Sequence, residues 1–296
     1  MTRTSGAGDQ PGTDDLLGRL EAMAVVHRVR CGNVRMVWRQ FGQGSPLVLL
    51  HGGHGGWMHW IRNIEALGRQ HTLWLPDMPG FGDSGTLGGD PYAADRFERL
   101  TAAIAGGLDS VLGPGSPFGL AGFSFGGLAA ASLAARLPNV ERLALLGCAG
   151  HGGPRRQAAE LVDWRSDDRG RMRAALRHNL GALMLHDQAS IDALALDLHE
   201  HMCKATRFHS KALSRRPLLG EALSAFHGPT LLLWGEHDVT AQPCEAAQRL
   251  AGGALHRDWC LVPGAGHWVQ YERPQEVNQL LLRWFSSPIT PRSGLS

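Results

Sequence analysis

In a chain of 296 residues, three polar side chains stand where nucleophilic chemistry at a carbonyl carbon would need them. The first is Ser124, in the run Gly122-Phe123-Ser124-Phe125-Gly126-Gly127, which has the form G-x-S-x-G. Only small neighbours tolerate the sharp strand-to-helix turn that this pattern describes. A serine at its apex is displayed above a helix N-terminus. Its hydroxyl becomes a useful nucleophile once a base takes its proton, and the base works best when a carboxylate fixes its tautomer and stabilises the imidazolium. Glycine makes up 39 residues, so the pattern can arise by chance and its surroundings have to agree with it.

Of fifteen histidines, His267 is the strongest base candidate. Pro263-Gly264-Ala265-Gly266-His267-Trp268 sets it on a glycine-rich loop just past the last apolar run, before a closing helix over 272–285. For the acid, the loop Gly235-Glu236-His237-Asp238 follows the apolar run 230–234. Asp238 is preferred to Glu236 because it lies farther out, where a short side chain reaches a neighbouring loop. The other strand end that could carry the acid reads Gly147-Cys148-Ala149 and has no carboxylate. The order Ser, Asp, His is one of the three known orders of such a constellation.

These loops need elements to hold them. Residues 16–24 read as a short helix, and 25–30 and 34–41 alternate like strands joined at Gly32-Asn33. The continuous apolar run 46–50 reads as a buried parallel strand entering the loop His51-Gly52-Gly53-His54-Gly55-Gly56. A helix over 60–67, a strand over 72–75, the loop from Asp77 to Gly85 and a helix over 93–108 come next. The serine strand over 116–120, a helix over 128–136 and strands over 140–146, 230–234 and 259–262 complete the alternation. Strand and helix in turn argue an α/β protein with a mainly parallel sheet and helices on both faces. The alternation fails between 151 and 226, where the pattern is helical. This stretch reads as an inserted cap over the C-terminal edge of the sheet, where open α/β sheets bind ligands. The division is a tail over 1–15, core over 16–150, cap over 151–226, core over 227–287 and a tail over 288–296.

Composition sets the outer bounds. With 43% apolar residues the chain can bury one large core. A formal charge of +2, with basic residues scattered among acids, gives no nucleic-acid or polybasic membrane signal. Five cysteines without a C-x-x-C pair read as reduced thiols, and no apolar segment near Met1 resembles a signal or anchor, so a cytoplasmic protein is expected. His51, His54 and His59 lack the carboxylate pattern of a metal site; His51 reads as structural and His54 as lining the site. No metal is expected. The partners expected are a small-molecule substrate and, at most, a second copy of the chain.

Four motifs together, the His-Gly loop, the loop from Asp77 to Ser84, the serine turn and Gly264-Ala265-Gly266-His267-Trp268, resemble the α/β-hydrolase-fold serine hydrolases over about 25–285. The resemblance implies a Ser124–His267–Asp238 triad without a cofactor, and an oxyanion hole from the amides of Gly53 and Phe125 with His54 beside them. It implies that the Asp77–Asp83 loop is a structural turn. It excludes the chemistry of family members with aspartate at the position of Ser124. Gly55-Gly56-Trp57, Arg62-Asn63-Ile64, the Asp77-Met78-Pro79-Gly80-Phe81-Gly82 loop and Trp268 are similar to the meta-cleavage-product hydrolases, which cleave a carbon–carbon bond. That likeness implies Trp268 and a cap arginine, Arg207, as carboxylate contacts, with Phe123 also at the substrate. Phe123 and Phe125 stand where those enzymes have an Asn-Ser-Met-Gly pattern. The leading expectation is therefore a small-ester hydrolase, followed by carbon–carbon hydrolysis, and in another class a small-molecule receptor on the same fold.

Overall fold

The computed structural model describes residues 13–157 and 159–287. Eight strands form one sheet in the order β1-β2-β4-β3-β5-β6-β7-β8. Their ranges are β1 Val25–Cys31, β2 Val34–Phe41, β3 Ser45–Leu50, β4 His71–Asp77, β5 Phe118–Phe123, β6 Val140–Leu146, β7 Thr230–Gly235 and β8 Arg257–Val262. The hairpin β1–β2 and the pair β2–β4 are antiparallel, and every pairing from β4 through β3 to β8 is parallel. The helices are α1 Thr13–Met23, α2 Ile64–Leu67, α3 Arg96–Leu112, α4 Phe125–Ala134, α5 Arg169–Asn179, α6 Ala193–Lys204, α7 Lys211–Ser214, α8 Leu219–Ala225, α9 Pro243–Ala251, α10 Val269–Glu272 and α11 Pro274–Ser286.

Strand alternation divides the core. Val48, Leu50, Leu120, Leu143, Leu145, Leu232 and Trp234 pack on one face with α3, α4, α8 and α9. Leu47, Leu49, Ala121, Phe123, Ala144, Leu146, Leu231 and Leu233 pack on the other with α1, α5, α6 and α11. Successive side chains of a strand point to opposite faces, so a central parallel strand covered on both sides must be apolar throughout. β5, fully buried along its length, meets that condition.

Several boundaries differ from the sequence reading. α1 begins at Thr13, inside the expected tail; the rest of that tail and the one at 288–296 lie outside the described residues. β5 continues to Phe123 and α4 starts at Phe125, so the turn around Ser124 is tighter than a helix from 128 would make it. In place of one helix over 60–67 there is a 3₁₀ turn, Trp57–Trp60, and then α2. Between them Asn63 spends its side-chain amide on the Gln270 carbonyl and on Asn278. The closing helix breaks into α10 and α11 at Pro274, which has no N–H to give to a continuous helix. α9 is additional, opening on Pro243 and stopped by Gly252 in the left-handed conformation at φ 55°.

Between β6 and β7 the described residues form helices and no strand: α5, one π turn at Leu180–Met184, a 3₁₀ turn at Gln188–Ser190, α6, α7 and α8. The described residues of the lead-in, 151–157 and 159–168, are irregular. Its middle is pinned to α5 by Asn179, whose side chain accepts from the Val162 amide at 2.9 Å and donates to the Val162 carbonyl at 2.8 Å. No helix among the described residues is long and apolar enough to cross a membrane.

Candidate active site

Ser124 occupies the turn between β5 and α4 with φ 52° and ψ −116°, a conformation that side-chain-bearing residues rarely adopt. The flanking glycines explain how the turn closes. A Cβ on Gly122 would lie 2.3 Å from the Gly126 carbonyl oxygen, and one on Gly126 would lie 2.2 Å from that of His51. The Ser124 amide donates to the Leu146 carbonyl at 2.8 Å, and its own carbonyl accepts from Gly127 and Ala149. The side chain faces His267, with Oγ 2.9 Å from Nε2, and His267 Nδ1 lies 2.8 Å from Asp238 Oδ2. An ionised carboxylate only accepts, so Nδ1 carries the proton and Nε2 is left to take one from the serine.

Asp238 is fully buried. Burial pushes its carboxyl up, but the neighbouring His267 and bonds from Thr240 outweigh that and hold it below the usual aspartate value. The Thr240 amide donates to Asp238 Oδ1 at 2.7 Å, which aims Oδ2 at the imidazole. Glu236 faces elsewhere, accepting from the Gly264 amide at 3.0 Å. Of the two acids, Asp238 is the one hydrogen-bonded to His267.

The His267 loop is fastened to the helical insertion. Glu272, 5% exposed, accepts from the Gly266 amide at 2.6 Å, the Asp187 amide at 2.6 Å and the His186 amide at 3.2 Å. The Trp268 amide donates to Met184 at 2.7 Å. Nothing in the sequence pattern singled out Glu272 or Thr240, because each acts through backbone amides that only the fold brings near.

The glycine loop after β3 lies beside the serine turn. Gly53 and His54 line the same cavity as Phe123, Ser124 and His267. Phe125 is the first residue of α4, where a helix leaves its N–H without an internal acceptor. His51 is structural: Nδ1 bonds the Gly52 carbonyl at 2.8 Å and Nε2 accepts from the Met78 amide at 2.9 Å. Burial lowers its pKa, in keeping with a neutral ring. His59 accepts from the Gly52 amide at 3.0 Å and is held neutral by burial and by the histidines around it. The described residues hold no cluster of three or more His, Cys, Asp or Glu side chains arranged for a metal ion. In the Asp77 loop, the Asp77 carboxylate is consumed by the Trp57 amide, Arg39 and the Asp83 amide.

Two expected substrate contacts fall elsewhere. Trp268 is fully buried and absent from the cavity wall; its indole stacks on Tyr271 and donates to the His59 carbonyl at 2.9 Å. Arg207 turns its guanidinium to the carbonyls of Ala205, Gly82 and Ser84 and fastens the insertion to the Asp77 loop. The cations at the cavity are others. A space of about 640 Å³ opens above Ser124, roofed by segment 159–165 and walled by Leu183, Met184, His199 and Cys203. Arg155, Arg156, Arg165, Lys211 and Arg215 line it against one acid, Asp163, which pairs with Arg165 at 3.1 Å.

A family model described as the alpha/beta hydrolase family matches residues 47–280. The chain belongs to the alpha/beta hydrolase family. It is 28% identical over 266 residues to a 2-hydroxy-6-oxononadienedioate/2-hydroxy-6-oxononatrienedioate hydrolase of Paraburkholderia phymatum, covering 84% of this chain and 90% of that one. The Escherichia coli K12 protein of the same name is 26% identical, with 86% and 92% covered. Among solved structures, the esterase RhEst1 from Rhodococcus sp. superposes with a TM-score of 0.71 at 22% identity, covering 90% of this chain and 99% of that one. The meta-cleavage product hydrolase of Pseudomonas fluorescens superposes with a TM-score of 0.68 at 22% identity, covering 88% and 97%. At such identities the structural likeness establishes the fold.

Proposed function

We propose that this family member is a serine hydrolase acting on a small carboxylic ester, with Ser124 as nucleophile, His267 as general base and acid, and Asp238 as the group that orients the imidazole. The observation that carries the reading is the continuous chain from Ser124 Oγ through His267 to buried Asp238, at 2.9 and 2.8 Å, opening into a ligand-sized cavity. As Ser124 attacks the acyl carbon its proton passes to Nε2, and the carbonyl oxygen becomes an oxyanion received by the amides of Gly53 and Phe125. His267 returns the proton to the leaving oxygen as the carbon–oxygen bond breaks. Water then repeats the sequence on the acyl-serine, with His267 taking its proton, and releases the carboxylic acid. The helical insertion serves as a cap, and no step calls for a cofactor.

The wall of cations favours a second reading. A carbon–carbon hydrolase for an anionic meta-cleavage product would use the same base to protonate a leaving carbon; the relatives above are named as hydrolases of a dienedioate, and one structural neighbour as a meta-cleavage product hydrolase. Hydrolysis of p-nitrophenyl butyrate and of a meta-cleavage dienoate, by the wild type and Ser124→Ala, tests both. Ester turnover lost in Ser124→Ala supports the first reading, and turnover of the dienoate alone supports the second. Sustained turnover of either substrate rejects a receptor role. If Ser124→Ala keeps full activity, the serine mechanism is wrong.

A further inference from the structure

Ser210 belongs to the helical insertion, yet its hydroxyl reaches the serine site. It stands at the N-cap of α7, where a serine ordinarily turns its oxygen onto the first helical amides; here the side chain makes no capping bond. The residue is 3% exposed, and among the described residues no hydrogen bond engages its Oγ. The hydroxyl is not one of the fully buried polar atoms left without a partner, so the cavity reaches it and its O–H is free to donate to a group bound there. Its position follows from Gly53, where an added Cβ would lie 2.5 Å from Ser210 Oγ and 3.8 Å from the Phe125 Cβ. Gly53 and Phe125 are the two residues whose amides form the oxyanion hole in the reading above. Ser210 also lines the same cavity as Gly53, Ser124 and His267.

The backbone that carries this hydroxyl is fixed. The Ser210 amide donates to the Phe208 carbonyl at 3.2 Å, and its carbonyl accepts from the Ser214 amide at 2.9 Å and the Ser214 hydroxyl at 3.0 Å. Phe208 is buried against the rings of Phe125 and Phe81, with centroids 5.6 and 5.7 Å apart. The segment therefore sits on the residue that begins α4.

We propose that Ser210 is a third donor of the oxyanion hole, contributed by the insertion. The inference rests on the hydrolytic reading of Ser124. When the Ser124 oxygen bonds to the acyl carbon, the carbonyl π electrons move onto oxygen, and Ser210 donates its O–H to that oxygen while keeping its proton. Such a donor acts on charge that develops in the transition state, so its loss lowers kcat and leaves KM nearly unchanged. A hydroxyl rotates where a backbone amide is fixed, so the expected loss lies below the roughly hundred- to thousand-fold cost of removing a well-fixed donor. The hole is complete only when insertion and core are in register.

The test compares wild type, Ser210→Ala, Ser210→Thr and Ser124→Ala on p-nitrophenyl butyrate. Each is also titrated with a trifluoromethyl ketone, which forms a tetrahedral adduct on the nucleophile, and with butyrate as a product inhibitor. The expected result for Ser210→Ala is a kcat about 10- to 100-fold lower with KM within about two-fold, ketone binding weakened by a similar factor and butyrate inhibition weakened less, because the carboxylate spreads its charge over two oxygens. Ser210→Thr recovers most of the loss. Unchanged kcat and ketone affinity in Ser210→Ala, with Ser124→Ala inactive, overturn this inference and leave the hydrolytic reading standing. A loss that Ser210→Thr fails to recover and that raises KM instead assigns Ser210 to packing. An active Ser124→Ala removes both.

Discussion

Gly147, at the end of β6, has φ 51°, and a Cβ there would come 3.0 Å from both Asp238 Oδ2 and His267 Nδ1. An L side chain at that φ is strained, and its first carbon would press into the His267–Asp238 hydrogen bond. Gly147→Ala is expected to destabilise the fold by about 1–2 kcal/mol and to lower kcat more than about ten-fold, checked by thermal unfolding and ester kinetics on the same preparation. Asp238→Asn keeps the shape and removes the charge, so kcat should fall about 10³- to 10⁴-fold while the variant stays folded. Linkage gives this residue a pH signature. A carboxyl whose native pKa is held below its unfolded value contributes stability that is fully present above the unfolded value and is lost as pH falls through the native one. The stability gap between wild type and Asp238→Asn should therefore be flat from about pH 5 to 8 and shrink below about pH 4, as read by denaturant unfolding at each pH.

Glu272 joins two elements that the catalytic reading needs in register, since one carboxylate holds the amides of Gly266, beside the base, and of His186 and Asp187, in the insertion. Glu272→Ala orphans these donors, with an expected cost of about 2–4 kcal/mol, and should lower kcat; Glu272→Gln retains an acceptor and should recover part of both, measured by unfolding and kcat. α6 carries a different sensitivity. Burial pulls His199 down to about 4, so its native pKa lies below its unfolded one. The fold then loses stability as pH falls from about 6.5 toward 4, and His199→Gln should shallow that decline in melting temperature. These couplings also show where sequence reading stops. Ser124, Asp238 and His267 were legible because each follows an apolar run ended by glycine, and a parallel sheet gathers such loops at one edge. The sheet and the helical stretch between β6 and β7 were legible from period and length. Glu272, Thr240 and Ser210 were not, because their partners are backbone amides or neighbours distant in sequence. Trp268 and Arg207 were misplaced for the converse reason: their residue types suit a carboxylate, but the fold spends them on the His59 carbonyl and on the Asp77 loop.

Over the whole molecule the formal charge is only +2, yet five of the cations line the cavity above Ser124. Burial and the nearby Arg215 guanidinium push Arg155 below its ordinary pKa, with Asp238 opposing them, so two positive groups of the cavity lining lie within electrostatic reach of each other. Like charges held together at a cavity mouth are relieved by an anion, and such a mouth raises the local concentration of anionic substrate. The attraction is screened over about 10 Å at 0.1 M salt, so it should appear as a salt effect on capture. For a p-nitrophenyl ester whose acyl chain ends in a carboxylate, kcat/KM should fall about 3- to 10-fold between about 0.01 and 0.5 M sodium chloride, while p-nitrophenyl butyrate stays level. In the double variant Arg155→Ala and Arg215→Ala the anionic ester should lose most of that slope, with kcat for the neutral ester unchanged because neither guanidinium bonds Ser124, His267 or Asp238. Equal salt curves for the two esters in the wild type would mean that the rim cations only solvate the insertion, and the case for an anionic substrate, with the carbon–carbon reading it supports, would lose its physical basis.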